Sequence, residues 1–239
     1  MYISLMNSNS KIGVSVDCVV FGYDGSALKV LLIEQKESSE LDRTKVQKAL
    51  PGDLVNTEEG LDFCAKRVLK ELTSLEDIFL KQFHTFGDPN RVKGAKDQVW
   101  LNTYRENPET RVITIAYYAL VSLHDYSPEP SSFAGKAQWI DLVSVPNLAF
   151  DHNNILSFAI STLREQLEPY HIGFELLPKK FTLSQLQHLH ELVLDKKLDK
   201  RNFRKNVKKM EHVVPLDEKQ KGVLHKPAQL FTFNPEAVN

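Results

Sequence analysis

The sequence predicts an α+β protein in two unequal parts: a mixed β-sheet sandwiched between helices, then a small domain of two short helices and a β-ribbon. Three observations point there. Val14 to Phe21 and Leu28 to Ile33 are apolar runs around the turn signal Tyr23-Asp24-Gly25-Ser26, the pattern of a hairpin. Glu59 to Leu72 and Asp151 to Leu167 carry apolar residues at helical spacing. Beyond the stretch Pro169 to Pro178 the pattern changes to compact capped helices, and the charge changes with it. From Phe174 to Asn239 there are 13 Lys+Arg against 8 Asp+Glu, while the rest of the chain holds 17 against 23. That asymmetry marks domains with different partners. The 239 residues therefore divide into a disordered lead-in at 1–11, a first domain at 12–170 and a second at 171–239.

Each element follows from its residues. In the first helix Leu61, Cys64, Val68, Leu69 and Leu72 share one face. Arg111 to Leu123 is a long β-branched and aromatic strand, and Trp139 to Leu142 a short one. Asp151 is placed to cap a helix whose Ile155, Phe158, Ala159, Thr162 and Leu163 face inward. Asp88 to Thr110 is polar and turn-prone, which predicts a surface excursion. In the second domain Thr182-Leu183-Ser184-Gln185 is a capping-box signal, followed by Leu186, Leu189, Val193 and Leu194 on one face. Asp199 can cap the next helix, where Phe203, Val207 and Met210 point inward. Val213 to Pro215 and Leu230 to Phe233 read as the two strands of a ribbon.

Composition excludes several classes. No apolar run approaches the length of about 18 residues that a membrane-spanning helix requires. Met1 to Lys11 lacks the charged start and apolar core of a signal peptide, so a cytoplasmic location is expected. Cys18 and Cys64 make neither a metal framework nor a disulfide scaffold, and both read as buried free thiols. Neither zinc nor any other cofactor is expected, and no nucleophilic triad is argued by spacing.

The second domain carries the clearer functional signal. Two short helices with a tight connection and a ribbon are the parts of a winged helix-turn-helix, whose second helix enters the major groove of DNA. Lys196 to Lys209 contains eight cations in 14 residues, with Asp199 alone opposing them. That density suits phosphate neutralisation. Arg201, Asn202 and Lys205 are types that read base edges. Lys208 and Lys209 suit phosphate contacts, Lys197, Lys200 and Arg204 are further candidates for DNA binding, and Lys219, Lys221, His225 and Lys226 fall on the wing. The plainer alternative is a solvated basic face, or a module that docks RNA or protein.

In the first domain, Gly52 is followed six residues later by Glu58, and seven further residues lead to Lys66-Arg67-Val68-Leu69-Lys70-Glu71. This resembles the Nudix box, in which an arginine and three glutamates would stand at positions 66, 67, 70 and 71. Magnesium requires carboxylate oxygens. Arg67 and Lys70 offer none, so metal-assisted hydrolysis is not expected. Lys66 and Arg67 read as solvated helix residues, or as a site for an anion once held through metal. A Nudix-like α/β/α sandwich followed by a winged helix resembles the Nudix-related, NrtR-like transcriptional regulators of bacteria. Further matches are Leu50-Pro51-Gly52, Thr85 to Arg91, Ala116 to Leu120, Leu148 to His152, Leu176 to Leu183, Leu198 to Arg204 and Lys226-Pro227-Ala228.

The resemblance implies a homodimeric regulator, a repressor on this reading, that binds double-stranded operator DNA and a small effector. Family members answer to ADP-ribose or to sugars such as L-arabinose, the latter forming an AraR-like subgroup. The broken box and the excursion at Val92 to Thr110 incline the expectation toward a neutral pentose. Candidate effector-binding residues are Asp17, Glu34, Asp53, Glu71, His84, Asp88 and Arg91. Asp17, set within a valine strand, reads equally as a structural partner, and His84 beside Phe86 as packing. Two alternatives stay open: an active hydrolase of ADP-ribose-type substrates, and an ADP-ribose sensor that controls NAD metabolism.

Overall fold

The computed structural model describes residues 12–35, 47–123, 134–167, 173–224 and 226–237. The expected lead-in, the domain junction at 168–172 and His225 lie outside the described residues. Strand β1 (Ile12–Tyr23) and strand β2 (Leu28–Gln35) form the expected hairpin, closed by Asp24, whose carboxylate accepts from the Ser26 and Ala27 N–H groups at 2.8 Å each. Strands β3 (Lys48–Ala49) and β4 (Gly52–Leu54) come next, then helix α1 (Leu61–Thr73), strand β5 (Lys81–Phe86) and helix α2 (Ala95–Tyr104). Strands β6 (Arg111–Ser122) and β7 (Ala134–Asp141) and helix α3 (His152–Leu167) complete the first domain.

These strands form one seven-stranded mixed sheet. β1 and β6 run parallel along their full length, from Ile12 opposite Arg111 to Tyr23 opposite Ser122. β2 pairs with β1 only near the turn, at Phe21 to Tyr23, whereas β4 pairs with β1 at Ser15 to Asp17. β3 pairs with β2 at Ile33 and Glu34. The segment 48–54 thus fills the wedge where β1 and β2 part, and that wedge becomes a cavity.

Side chains of β1 alternate between two cores, as the two-residue period of a strand demands. Val16, Cys18 and Val20 meet Cys64, Ala65, Val68, Leu69 and Leu72 of α1. Val19, Phe21 and Tyr23 meet Ile155, Ala159 and Leu163 of α3. Both cysteines are buried and free. Phe158, expected to face inward, is instead 44% exposed and packs against His84 and Phe86 at the outer edge.

The expected excursion at 88–110 contains α2, which buries Trp100 and Leu101 against the sheet. No helix among the described residues is long and apolar enough to cross a membrane.

The second domain opens on a 3-10 turn at Phe174–Leu176, followed by helices α4 (Leu183–Leu194) and α5 (Lys200–Val207) and strands β8 (Val213–Lys219) and β9 (Gln229–Phe233). The capping box forms as read: Thr182 accepts from the Gln185 N–H, and the Gln185 side chain accepts from the Thr182 N–H. Asp199 caps α5 by accepting from the Asn202 N–H at 2.8 Å. Leu186, Leu189, Val193, Phe203 and Val207 join the same apolar cluster as the α3 face of the sheet, so the two domains share a core.

The box glycine has a steric role. A Cβ at Gly52 would overlap Asp17 Oδ1 and lie 3.0 Å from the Val16 carbonyl. Gly52→Ala should therefore push β4 off β1 and lower unfolding free energy by about 1–3 kcal/mol in urea titration. An unchanged midpoint would show that the close approach does not constrain the fold.

Candidate functional site

The remnant of the box is an acid cage closed by its own cation. Arg67, on α1, donates from Nε to Glu59 Oε1 at 2.7 Å and from Nη2 to Glu59 Oε2 at 3.0 Å. Nη1 donates to Asp53 Oδ2 at 3.0 Å and Glu71 Oε2 at 3.2 Å, and Nη2 also reaches the Leu54 carbonyl at 3.0 Å. The hydrogen bonds from Arg67 hold the Glu59 carboxyl down to about 2, and the same bonds raise the arginine. Arg67 is therefore neither a solvated residue nor an open anion site, because three carboxylates already surround it. Glu58, the glutamate in register with the box, is exposed, and Glu59 turns inward in its place. Lys66 is exposed as read, and Lys70 pairs with Glu76 at 3.1 Å.

This donor set does not fit a magnesium or manganese ion. Its carboxylate oxygens are already directed at a guanidinium, whose charge repels a cation. Among the described residues, no three His, Cys, Asp or Glu side chains converge as ligands.

Beside the cage, in the wedge between β1 and β2, lies a cavity of about 290 Å³. Its walls are Ser15, Asp17, Ile33, Ala49, Leu50, Gly52, Asp53, Leu54, Arg91, Val92, Trp100, Leu101, Arg105, Phe150 and His152. One side is a buried polar network. Arg91 donates to both oxygens of Asp151, at 3.0 and 2.7 Å, and to Asp17 Oδ2 at 3.3 Å. Thr114 Oγ1 donates to Asp17 Oδ2 at 2.6 Å. Burial opposes the charge of Arg91, yet Asp17 and Asp151 outweigh it and its pKa is raised.

His152 behaves in the opposite way. Burial outweighs the neighbouring carboxylates and lowers its pKa, so the ring is neutral. Its Nδ1 accepts from the Leu50 N–H at 2.9 Å, which leaves the proton on Nε2, 3.5 Å from Asp17 Oδ1. Asp151, read as a helix cap, instead spends its carboxylate on Arg91.

Of the seven effector candidates, Asp17, Asp53 and Arg91 come together at this cavity. The other four do not line it. Glu34 binds Lys48 and Gln138 at the sheet edge, each at 2.6 Å. Glu71 lies on the outer side of the cage, and exposed His84 stacks on Phe158. Asp88 closes its own turn by accepting from the Asn90 N–H. Arg105, Trp100, Phe150 and His152 were not among the candidates. Their signal is weak because chain positions from 15 to 152 meet here through tertiary packing.

The second candidate surface is α5. Lys200, Arg201, Asn202, Arg204, Lys205 and Lys208 are all exposed, while Phe203 and Val207 anchor the opposite face. With the α4 start, Ala228 and Gln229, all of these exposed residues except Asn202 border an open groove. Lys197 reaches back to Glu191 at 3.3 Å, and Lys221 and Lys226 are exposed between β8 and β9.

Residues 173–233, which hold α4, α5 and the ribbon, match the NrtR DNA-binding winged helix domain. The ADPR responsive transcriptional repressor NtrR of Acinetobacter baylyi is 28% identical over 224 residues, covering 92% of this chain and 81% of that protein. The crystal structure of Shewanella oneidensis NrtR complexed with a 27mer DNA superposes with a TM-score of 0.70 at 25% identity, covering 94% of each chain. A MutT/nudix family protein from Enterococcus faecalis has the same fold, with a TM-score of 0.69 at 21% identity over 97% of this chain and 90% of that one. With the winged helix matched and both domains spanned by these relatives, the chain is similar along nearly its whole length to the NrtR-like, Nudix-related transcriptional regulators.

Proposed function

We propose that this protein is a homodimeric repressor of the bacterial cytoplasm whose winged helix binds operator DNA and whose Nudix-like domain receives an effector without hydrolysing it. The observation that carries the reading is the basic face of α5 on a chain similar over 92% of its length to a named transcriptional repressor. Arg201, Asn202 and Lys205 lie on the exposed side of α5, suited to base edges. Lys197, Lys200, Arg204 and Lys208 flank them for phosphates, with Lys221 and Lys226 on the wing. The Arg67 cage supports a receptor over an enzyme, because it leaves no carboxylate set for the metal.

For the effector, the relative's named response favours ADP-ribose, and the expected neutral pentose has no support among the relatives. One structural feature favours a free pentose as a second reading. The cavity is small for a dinucleotide-like ligand. Its lining also balances Asp17 and Asp53 against Arg91 and Arg105, with His152 neutral.

Helix α3 is suited to carry the signal. Asp151 and His152 at its start belong to the cavity network. At its other end Arg164 Nε donates to the Val193 carbonyl, in the last turn of α4, at 2.7 Å. A helix of 16 residues spans about 24 Å, enough to link the two sites rigidly. A ligand that prefers one setting of α3 then shifts the setting of α5 by its differential affinity.

Arg201→Ala and Arg204→Ala should each weaken operator binding about tenfold or more, and Arg204→Ala should also flatten the salt dependence by about one unit of slope. Effector binding should be unchanged. Equal operator affinity in gel shifts of both variants would remove α5 from the interface.

Calorimetry in EDTA with ADP-ribose and with L-arabinose tests the effector. One of them should bind without metal and release the operator. Arg164→Ala should still bind it while the operator response fades. Binding of ADP-ribose only with magnesium or manganese, followed by turnover, would restore the hydrolase reading.

A further inference from the structure

Arg105 lies in what reads as a polar surface stretch. It follows α2 directly, where its backbone N–H closes the helix on the Leu101 carbonyl at 2.8 Å. Its side chain lines the cavity with Trp100, Asp17 and Asp53. Nη1 is buried and has no hydrogen-bond partner. Burial lowers its pKa and Arg91 adds to that, while Asp17 and Asp53 support the charge through space.

Neither carboxylate completes the bond. Asp17 is engaged by Thr114 and Arg91, and Asp53 by Arg67 and the Leu54 N–H. A buried N–H left unpaired on a charged group is more costly than an ordinary missing hydrogen bond. An apolar side chain would serve the fold better at this position. Among the described residues no hydrogen bond or ion pair holds the guanidinium, and the side chain lines a cavity with room for a partner from outside the chain.

We infer that Arg105 anchors the effector, with its guanidinium donating to an acceptor oxygen that the ligand brings into the cavity. This deepens the effector reading above and rests on it. A phosphate oxygen of ADP-ribose or a hydroxyl of a free pentose offers the same acceptor. The geometry also explains why α2 interrupts the sheet connection: it carries Trp100, Leu101 and Arg105 to one wall of the wedge. Arg91, already bonded to Asp17 and Asp151, contributes to the same lining.

The test uses full-length Arg105→Met, read by thermal melting without ligand, by calorimetry with ADP-ribose and L-arabinose, and by operator gel shift. The apo variant should melt about 2–4 °C higher than the parent, because the unpaired donor is gone. Affinity for whichever probe the parent binds should fall about tenfold to a hundredfold, with operator affinity unchanged. A variant that melts below the parent would make Arg105 a structural residue and overturn the inference. Retained affinity for the bound probe would also overturn it. If the parent binds neither probe, the effector assignment fails, and the melting comparison still decides whether Arg105 is held against the interest of the fold.

Discussion

The Arg67 guanidinium holds three carboxylates and a backbone carbonyl at once, and in doing so ties β4, the approach to α1 and α1 itself into one unit. In a metal-dependent site of this shape a divalent cation would neutralise those carboxylates. Here the neutralising charge is covalently part of the chain. It cannot leave, exchange or activate water. At this site the guanidinium balances the acidic charge that a metal ion would otherwise balance, which supports the proposed receptor reading.

That cavity depends on the parting of β1 and β2. The segment 48–54 fills the wedge by pairing with both, and Gly52 is what lets it approach Asp17. Asp17 is drawn inward because Thr114, Arg91 and His152 surround it on the α3 side of the sheet. The buried charges are compensated in pairs, as buried ions must be. Among the described residues Arg105 is the exception, with its Nη1 unpaired, and the residue lines the cavity. From the same network α3 runs to α4, so the polar cluster that shapes the cavity also fixes the helix that touches the winged domain.

Much of this was legible in the chain. The β1–β2 hairpin, the apolar face of α1 and both caps of the winged helix follow from local patterns, because their stabilising contacts lie within a few residues. The basic face of α5 was equally readable, since Phe203 and Val207 fix its orientation by spacing alone. What escaped reading depends on distant partners. Helix α2 lacks an apolar stripe, and its burial comes from Trp100 and Leu101 in one turn. Asp151 carries a cap residue's signature, but Arg91, 60 residues away in sequence, takes its carboxylate. The swap of Glu58 for Glu59 turns on the conformation of the loop before α1, which the register of the motif does not encode. Arg105 sat in a polar stretch with no period to mark it.

The most direct test of the receptor account is a manganese titration followed by electron paramagnetic resonance, comparing the parent with Arg67→Glu. The account predicts that the parent leaves the free-ion signal intact, and that the variant, with a fourth carboxylate in place of the cation, withdraws about one ion per chain. Stoichiometric uptake by the parent, with no gain in the variant, would contradict it.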